Sequence, residues 1–254
     1  MKILITGANG YIGKSLYNAL KDKYNVDIIT RNECDLTDSL EVDSYFLNKW
    51  FDVIIHCATS GAVSPRKIDW GIMDSNLKIY YNLLKNKNHF NKLINLGSGA
   101  EIYIPDTPYG LSKKVISNSI LNKDNFYNLR IFGVFDENEL DTRFIKGSIK
   151  RYINNEDMII HQDKIMDFIY MFDLIKIIEY YINNEGPKEI NCNYNHAMSL
   201  CDIAKTINNL DKHKVDVKIE NKEQADSYIG VFDNLGINFI GLEQGIKKIY
   251  NKLR

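Results

Sequence analysis

From its second residue the chain alternates short unbroken runs of aliphatic and β-branched residues with longer stretches in which apolar positions recur at helical spacing. Short apolar runs without polar alternation read as strands buried on both faces, and a 3.6-residue recurrence reads as an amphipathic helix. Strands are predicted over residues 2–6, 26–30, 52–57, 92–96 and 128–131, and helices over 14–21, 39–49, 70–85 and 109–121. In the third helix Ile72, Ile79, Leu83 and Leu84 carry the buried stripe. Strands separated by helices in this rhythm form βαβ units, so the predicted fold is α/β, a Rossmann doubly wound parallel sheet. After Asp136 the rhythm loosens. Helices are predicted over 143–153 and 172–182, and strands over 158–161 and 188–191. Ser199-Leu-Cys-Asp202 is a capping box opening a helix through Ile207, because the serine oxygen can take an orphan helix amide and the acid can reach back. A final helix over 242–253 places lysines near its end, where the helix dipole favours them. This pattern divides the chain into a dinucleotide-binding Rossmann domain over 1–135 and a small C-terminal α/β subdomain, mainly 136–254, with the chain interleaving between the two.

Composition narrows the class. With 44% hydrophobic residues and a net charge of −1 over 254 residues, the chain can bury a core and has no cause to stay unfolded. The 32 basic and 33 acidic residues nearly cancel, so no global field marks a nucleic-acid or membrane partner. No run approaches the roughly 20 apolar residues of a membrane span. The N-terminus lacks the form of a signal peptide, so a cytoplasmic location is expected. Cys34, Cys57, Cys192 and Cys201 form no CxxC pair and sit in or beside apolar segments, which predicts reduced thiols and no metal site.

Gly7-Ala-Asn9-Gly10-Tyr11-Ile12-Gly13 lies between a predicted strand and a predicted helix. Glycines at this spacing allow a tight turn and bring backbone amides close to a pyrophosphate, with the helix N-terminus adding positive potential. Gly7, Asn9, Gly10, Tyr11, Ile12 and Gly13 are therefore candidate cofactor-binding residues. Thr30-Arg31 follows the second strand, where an NAD site usually has an acid for the ribose hydroxyls. A guanidinium there suits an adenosine 2′-phosphate. NADP(H) is thus favoured, with NAD(H) as the alternative.

Tyr109-Gly-Leu-Ser-Lys113 opens a predicted helix with both side chains four residues apart on one face. A free phenol titrates near 10, and an ammonium beside it favours the phenolate, which makes such a pair a usable acid/base at neutral pH.

In order along the chain, the glycine loop, Asp35-Leu36-Thr-Asp38, Asp52-Val-Ile-Ile-His-Cys-Ala58, Asn76 with Asn82-Leu-Leu, Leu96-Gly-Ser98 and Tyr109–Lys113 resemble the extended short-chain dehydrogenases/reductases. Met166-Asp-Phe-Ile-Tyr-Met-Phe-Asp173 and Ile190-Asn191 before the Ser199 helix continue the likeness. The passage from Ile29 to Asp38 looks most like GDP-L-fucose synthases and related nucleotide-sugar 4-reductases. The resemblance implies that the three glycines hold the pyrophosphate, that Asp35 and Leu36 contact the adenine, that Ala58 passes the adenosine ribose, and that Arg31 meets the 2′-phosphate. It implies further that Tyr109 exchanges the proton, Lys113 binds the nicotinamide ribose, and Ser98 orients the sugar oxygen. The implied substrate is a nucleoside-diphosphate sugar, and the implied assembly a homodimer through helices 70–85 and 109–121.

The likeness has departures. Counting from the strand exit puts the family's serine at Ser98, whereas counting back from Tyr103 puts it at Gly99; the strand exit fixes side-chain direction, so Ser98 is the candidate. Sugar dehydratases carry an Asp-Glu pair where this chain has Ala100-Glu101, which argues against elimination and leaves Glu101 as a possible substrate contact. Met166 stands where relatives use an arginine for substrate phosphates. No cysteine follows Ser98 in the loop where double epimerases carry one, and His161 is expected to be solvated. A reductase of a 4-keto deoxy sugar is the first reading, an NAD-dependent 4-epimerase the second, and a non-catalytic dinucleotide sensor a third. Ten residues separate Ser98 from Tyr109. Most extended relatives have a longer substrate-covering loop there, so the substrate half is the reduced one.

Overall fold

The computed structural model describes residues 1–61, 68–223 and 225–254. Along the first half run β1 (Lys2–Thr6), α1 (Tyr11–Leu20), β2 (Asn25–Ile29), α2 (Ser39–Phe46), β3 (Phe51–His56) and α3 (Trp70–Lys85). They continue with β4 (Phe90–Ser98), a single turn α4 (Ala100–Tyr103), α5 (Pro108–Leu121) and β5 (Phe126–Ile131). Later come β6 (Val134–Phe135), α6 (Phe144–Ile153), β7 (Met158–Gln162), β8 (Ile165–Met166), β9 (Ile169–Tyr170) and α7 (Met171–Asn183). The last elements are β10 (Glu189–Cys192), β11 (Met198–Ser199), α8 (Leu200–Asn208), β12 (Val217–Asn221) and α9 (Leu242–Leu253).

A six-stranded sheet has the order β10-β5-β4-β3-β1-β2, with β1 parallel to both β2 and β3, and β3 parallel to β4. Leu4 pairs with Asp27 on one side and Ile54 on the other. β1 and β3 are buried on both faces, as their unbroken apolar runs require. Strand order reverses at β1, so the chain leaves β1 and β3 toward opposite directions and opens a crevice at their C-terminal ends. Position in the sheet therefore decides where a ligand goes.

The chain forms two compact units: residues 1–130 with 178–190, and residues 131–177 with 191–254. The first packs Leu4, Ile54, Tyr80 and Ile120 into one of its core clusters. The second is built on Ile149, Tyr152, Ile203 and Ile246 between its helices and three small two-stranded sheets.

Caps set the helix starts. Asp38 accepts from the Leu40 and Glu41 amides, Asp69 from Gly71, Thr107 from Gly110 and Ser199 from Asp202. The second helix is shorter than its sequence pattern. It stops at Phe46 because Asn48 takes a left-handed conformation, φ 60°. α4 and the short strands β6, β8, β9 and β11 were outside the periodic pattern, since two to four residues are too few to show a period. Tyr80 and Tyr181 are core residues, whereas Trp70 and Tyr81 are exposed. All four cysteines are free thiols. Among the described residues no helix is long and apolar enough to cross a membrane.

Candidate active site

The glycine loop works by close approach. Gly7 has φ +67°, and a Cβ on it would lie 2.7 Å from Ala58 Cα. A Cβ on Gly13 would lie 2.4 Å from the Gly7 carbonyl oxygen. The exits of β1 and β3 and the first turn of α1 can converge only without side chains at these two positions. Thr6 fixes the convergence from below: its hydroxyl accepts from the Cys57 and Ala58 amides, each at 3.2 Å, and shares a 2.9 Å hydrogen bond with His56 Nδ1. Burial, with the Lys113 charge second, pushes the His56 imidazole down to about 3, so it stays neutral and structural. No side chain caps α1 at Gly10, and the helix N-terminus is an anion site of the kind a pyrophosphate uses.

Beside this loop is a cleft of about 240 Å³. Gly7, Asn9, Gly10, Arg31, Asp35, Leu36 and Ala58 line it, seven of the residues singled out in the sequence. Tyr11, Ile12 and Gly13 stand in the first turn of α1, and Lys113 in α5, outside that lining. Thr30, Thr59, Ser60 and Ile79 line it as well and were not foreseen. An apolar slot with a glycine cradle at one end and an arginine at its rim fits a nicotinamide dinucleotide. Gly7, Gly10 and the α1 N-terminus would hold its pyrophosphate.

Asn76 ties the cleft to the helix bearing the tyrosine. Its side-chain oxygen accepts from the Ser60 amide at 2.7 Å, while its Nδ2 donates to the Ser60 carbonyl and to Ser112 Oγ at 3.2 and 3.0 Å. Ser112 Oγ in turn donates to the Tyr109 carbonyl at 2.7 Å.

Tyr109 and Lys113 lie one turn apart on α5, both buried, with Lys113 Nζ 5.9 Å from the Tyr109 ring centre. Lys113 Nζ donates to the Leu96 carbonyl of β4 at 2.8 Å, two residues before Ser98. Ser98 ends β4, and its hydroxyl accepts from the Ala100 amide at 3.2 Å. The stretch from Ser98 to Tyr109 contains α4, which with the residue after it packs so tightly on α5 that a Cβ at Gly110 would lie 2.8 Å from the Ala100 carbonyl oxygen and 2.0 Å from that of Ile104.

Glu101 corrects the sequence reading. It is buried, accepts from the Ser98 amide at 2.8 Å and Asn128 Nδ2 at 3.1 Å, and pairs with Arg130 Nε at 3.0 Å. Arg130 also bonds Glu189 at 2.9 Å, and Asn95 Nδ2 donates to Asn128 at 2.7 Å. Glu101 is therefore the centre of a polar network under the β4 exit and is not a substrate contact. Burial pushes its carboxyl up, opposed chiefly by Arg130. His161, as expected, is an exposed surface side chain, paired with Glu220 at 2.9 Å.

A family model described as the NAD dependent epimerase/dehydratase family matches residues 3–195. The chain belongs to this family. It is an NAD(P)-dependent enzyme, as the likeness to extended short-chain dehydrogenases/reductases implied. CDP-abequose synthase of Yersinia pseudotuberculosis is 25% identical over 211 residues, covering 73% of this chain and 75% of that protein. GDP-L-colitose synthase of the same organism is 28% identical over 162 residues, covering 62% of this chain and 49% of that one, about half its length. Among solved structures, a GDP-mannoheptose C4 reductase from Campylobacter jejuni with NADP bound superposes with a TM-score of 0.80 at 18% identity, covering 98% of this chain and 97% of the other. UDP-glucose 4-epimerase from Thermotoga maritima gives 0.81 at 18%, covering 100% and 98%. These two confirm the family's fold.

Proposed function

We propose that this family member is an NADP(H)-dependent reductase of a 4-keto, deoxy sugar carried on a nucleoside diphosphate. The observation that carries this reading is the Tyr109–Lys113 pair of α5, tied to β4 beside Ser98 and through Asn76 to the cleft loop. Gly7, Gly10 and Gly13 hold the pyrophosphate, Asp35 and Leu36 flank the adenine, Ala58 the ribose, and Arg31 takes the 2′-phosphate. A dinucleotide held there would supply the hydride that the sugar carbon takes up. The Tyr109 phenol donates its proton to the carbonyl oxygen, Ser98 Oγ orients that oxygen, and solvent returns the proton to Tyr109, so one carbonyl, one hydride and one proton become one secondary alcohol. Lys113 holds the nicotinamide ribose and favours the phenolate that forms.

Two observations support reduction over dehydration. Elimination needs a free base beside the tyrosine, and Glu101 is committed to Arg130, Asn128 and the Ser98 amide. Both curated relatives are named as synthases of nucleotide-linked sugars, one on CDP and one on GDP. The second unit, by the same likeness, serves the substrate. Consumption of NADPH in a one-to-one ratio with a nucleotide-linked 4-keto sugar is the expected result. Tightly retained NAD with interconversion of two nucleotide sugars and no net cofactor use would establish the 4-epimerase reading instead.

The reading extends to a homodimer through α3 and α5. Trp70 and Tyr81 on α3 and Leu121 on α5 are large exposed apolar side chains, the surface a partner copy would cover. Sedimentation velocity is expected to give twice the 29.4 kDa chain mass; a monomer at micromolar concentration would refute the dimer.

A further inference from the structure

The sequence shows no acid at the end of β2, yet the fold brings one there. Residues 30–34 close a tight turn in which the Glu33 and Cys34 amides donate to the Thr30 carbonyl at 3.0 and 3.1 Å. The Glu33 side chain folds back through this turn, and its Oε2 accepts from both the Thr30 amide and the Thr30 hydroxyl, each at 2.9 Å. Thr30 lines the cleft, as does its neighbour Arg31. A main-chain amide, a hydroxyl and a guanidinium together at a strand end are the donor set that suits a phosphate monoester. Two of those three donors already hold an anion.

The surroundings of Arg31 point the same way. Asp35, also in the lining, is held below the usual carboxylate range first by hydrogen bonds from Thr37 and also by the Arg31 charge, so the guanidinium lies within electrostatic reach of a carboxylate. The Cys34 thiol is pushed up by burial and then by Glu41, Asp35 and Asp38, which marks an acidic margin on this side of the cleft. At this end of the cleft the Arg31 guanidinium thus has a carboxylate, Asp35, within its electrostatic reach.

From this we propose that Glu33 is a specificity-determining residue: its carboxylate stands in the adenosine 2′-phosphate position as an internal competitor, so that it opposes Arg31 and disfavours NADP(H) relative to NAD(H). Seating a 2′-phosphate on Thr30 requires the Glu33 carboxylate to release both donors and swing away from the incoming charge. A 2′-hydroxyl makes no such demand, and a carboxylate at this place can accept from it. Arg31 and Glu33 thus set cofactor choice by difference, one attracting the phosphate and the other holding its seat.

This inference rests on the dinucleotide reading of the cleft, and binding of NADPH and NADH to the sugar-free protein, followed by quenching of protein fluorescence and by calorimetry, separates the two. Glu33→Ala is expected to tighten NADPH about tenfold, the size of one charge-assisted hydrogen bond regained, with NADH unchanged or weakened. Glu33→Gln, which keeps an acceptor without the charge, should give a smaller gain for NADPH, and Arg31→Ala should weaken NADPH while sparing NADH. Equal shifts for the two cofactors in Glu33→Ala would make Glu33 a mere turn residue and overturn the inference while leaving the cleft assignment intact. Failure of the unmodified protein to bind either cofactor would overturn both.

Discussion

Replacing Tyr109 with phenylalanine is expected to lower kcat by about 10²–10⁴-fold, the usual worth of a positioned general acid, with dinucleotide affinity nearly unchanged. The hydroxyl is one atom at the end of a buried ring on α5, and removing it leaves the ring's packing and the helix cap at Thr107 in place. The loss therefore falls on turnover. Steady-state NADPH oxidation with a nucleotide-linked keto sugar measures kcat, and fluorescence titration measures the cofactor. Unchanged turnover with cofactor still bound would show that Tyr109 moves no proton, and would return the sensor reading to first place.

Arg130→Met is expected to cost about 3–5 kcal/mol of stability, because it strands the Glu101 carboxylate in the interior with its cation removed. For a protein of this size the melting temperature should fall by about 10 °C. The pH dependence gives a second signature. Burial already raises the Glu101 carboxyl above its unfolded value, and loss of Arg130, its largest opposing influence, raises it further. A raised acid favours the fold while protonated and loses that advantage as pH rises, so the deficit of Arg130→Met should be smaller near pH 5 than near pH 7.5. The double change Glu101→Leu with Arg130→Met should recover only part of the loss, since Asn128 Nδ2 and the Ser98 amide lose an acceptor. A calorimetric difference that does not change with pH would mean that Arg130 acts by packing alone.

How much of this was legible follows the reach of each interaction. The strands of the first half were readable because a parallel strand covered on both faces must be apolar throughout, and β1 and β3 are. The glycine loop was readable because its requirement is steric and local: no Cβ fits 2.4 Å from the Gly7 carbonyl oxygen. Tyr109 and Lys113 could be paired from four-residue spacing alone. The end of α2 was missed because a left-handed Asn48 overrode an apolar pattern that continued past it. β7 was readable, whereas its partner β12 was missed because the pairing is remote in the chain, Val217 lying beside Met158.

The site shows the same division. The Thr30–Glu33 turn is local in the chain, but only the fold puts Thr30 on the wall of a cleft and makes its amide and hydroxyl matter to a ligand. Glu101 kept the residue type of a catalytic base. Its partners Arg130 and Asn128 come from β5, which reaches it only through the sheet, and Arg130 is held in turn by Glu189 of β10; together they turn it into a structural group. By itself the sequence determined the cofactor half: the fold class, the glycine cradle and the tyrosine–lysine pair, each set by sterics or spacing within a few residues. Tertiary structure alone decided which charged side chains are spent on one another and which face a ligand, because electrostatic partners are chosen by distance in space and by burial, and neither is written in chain order.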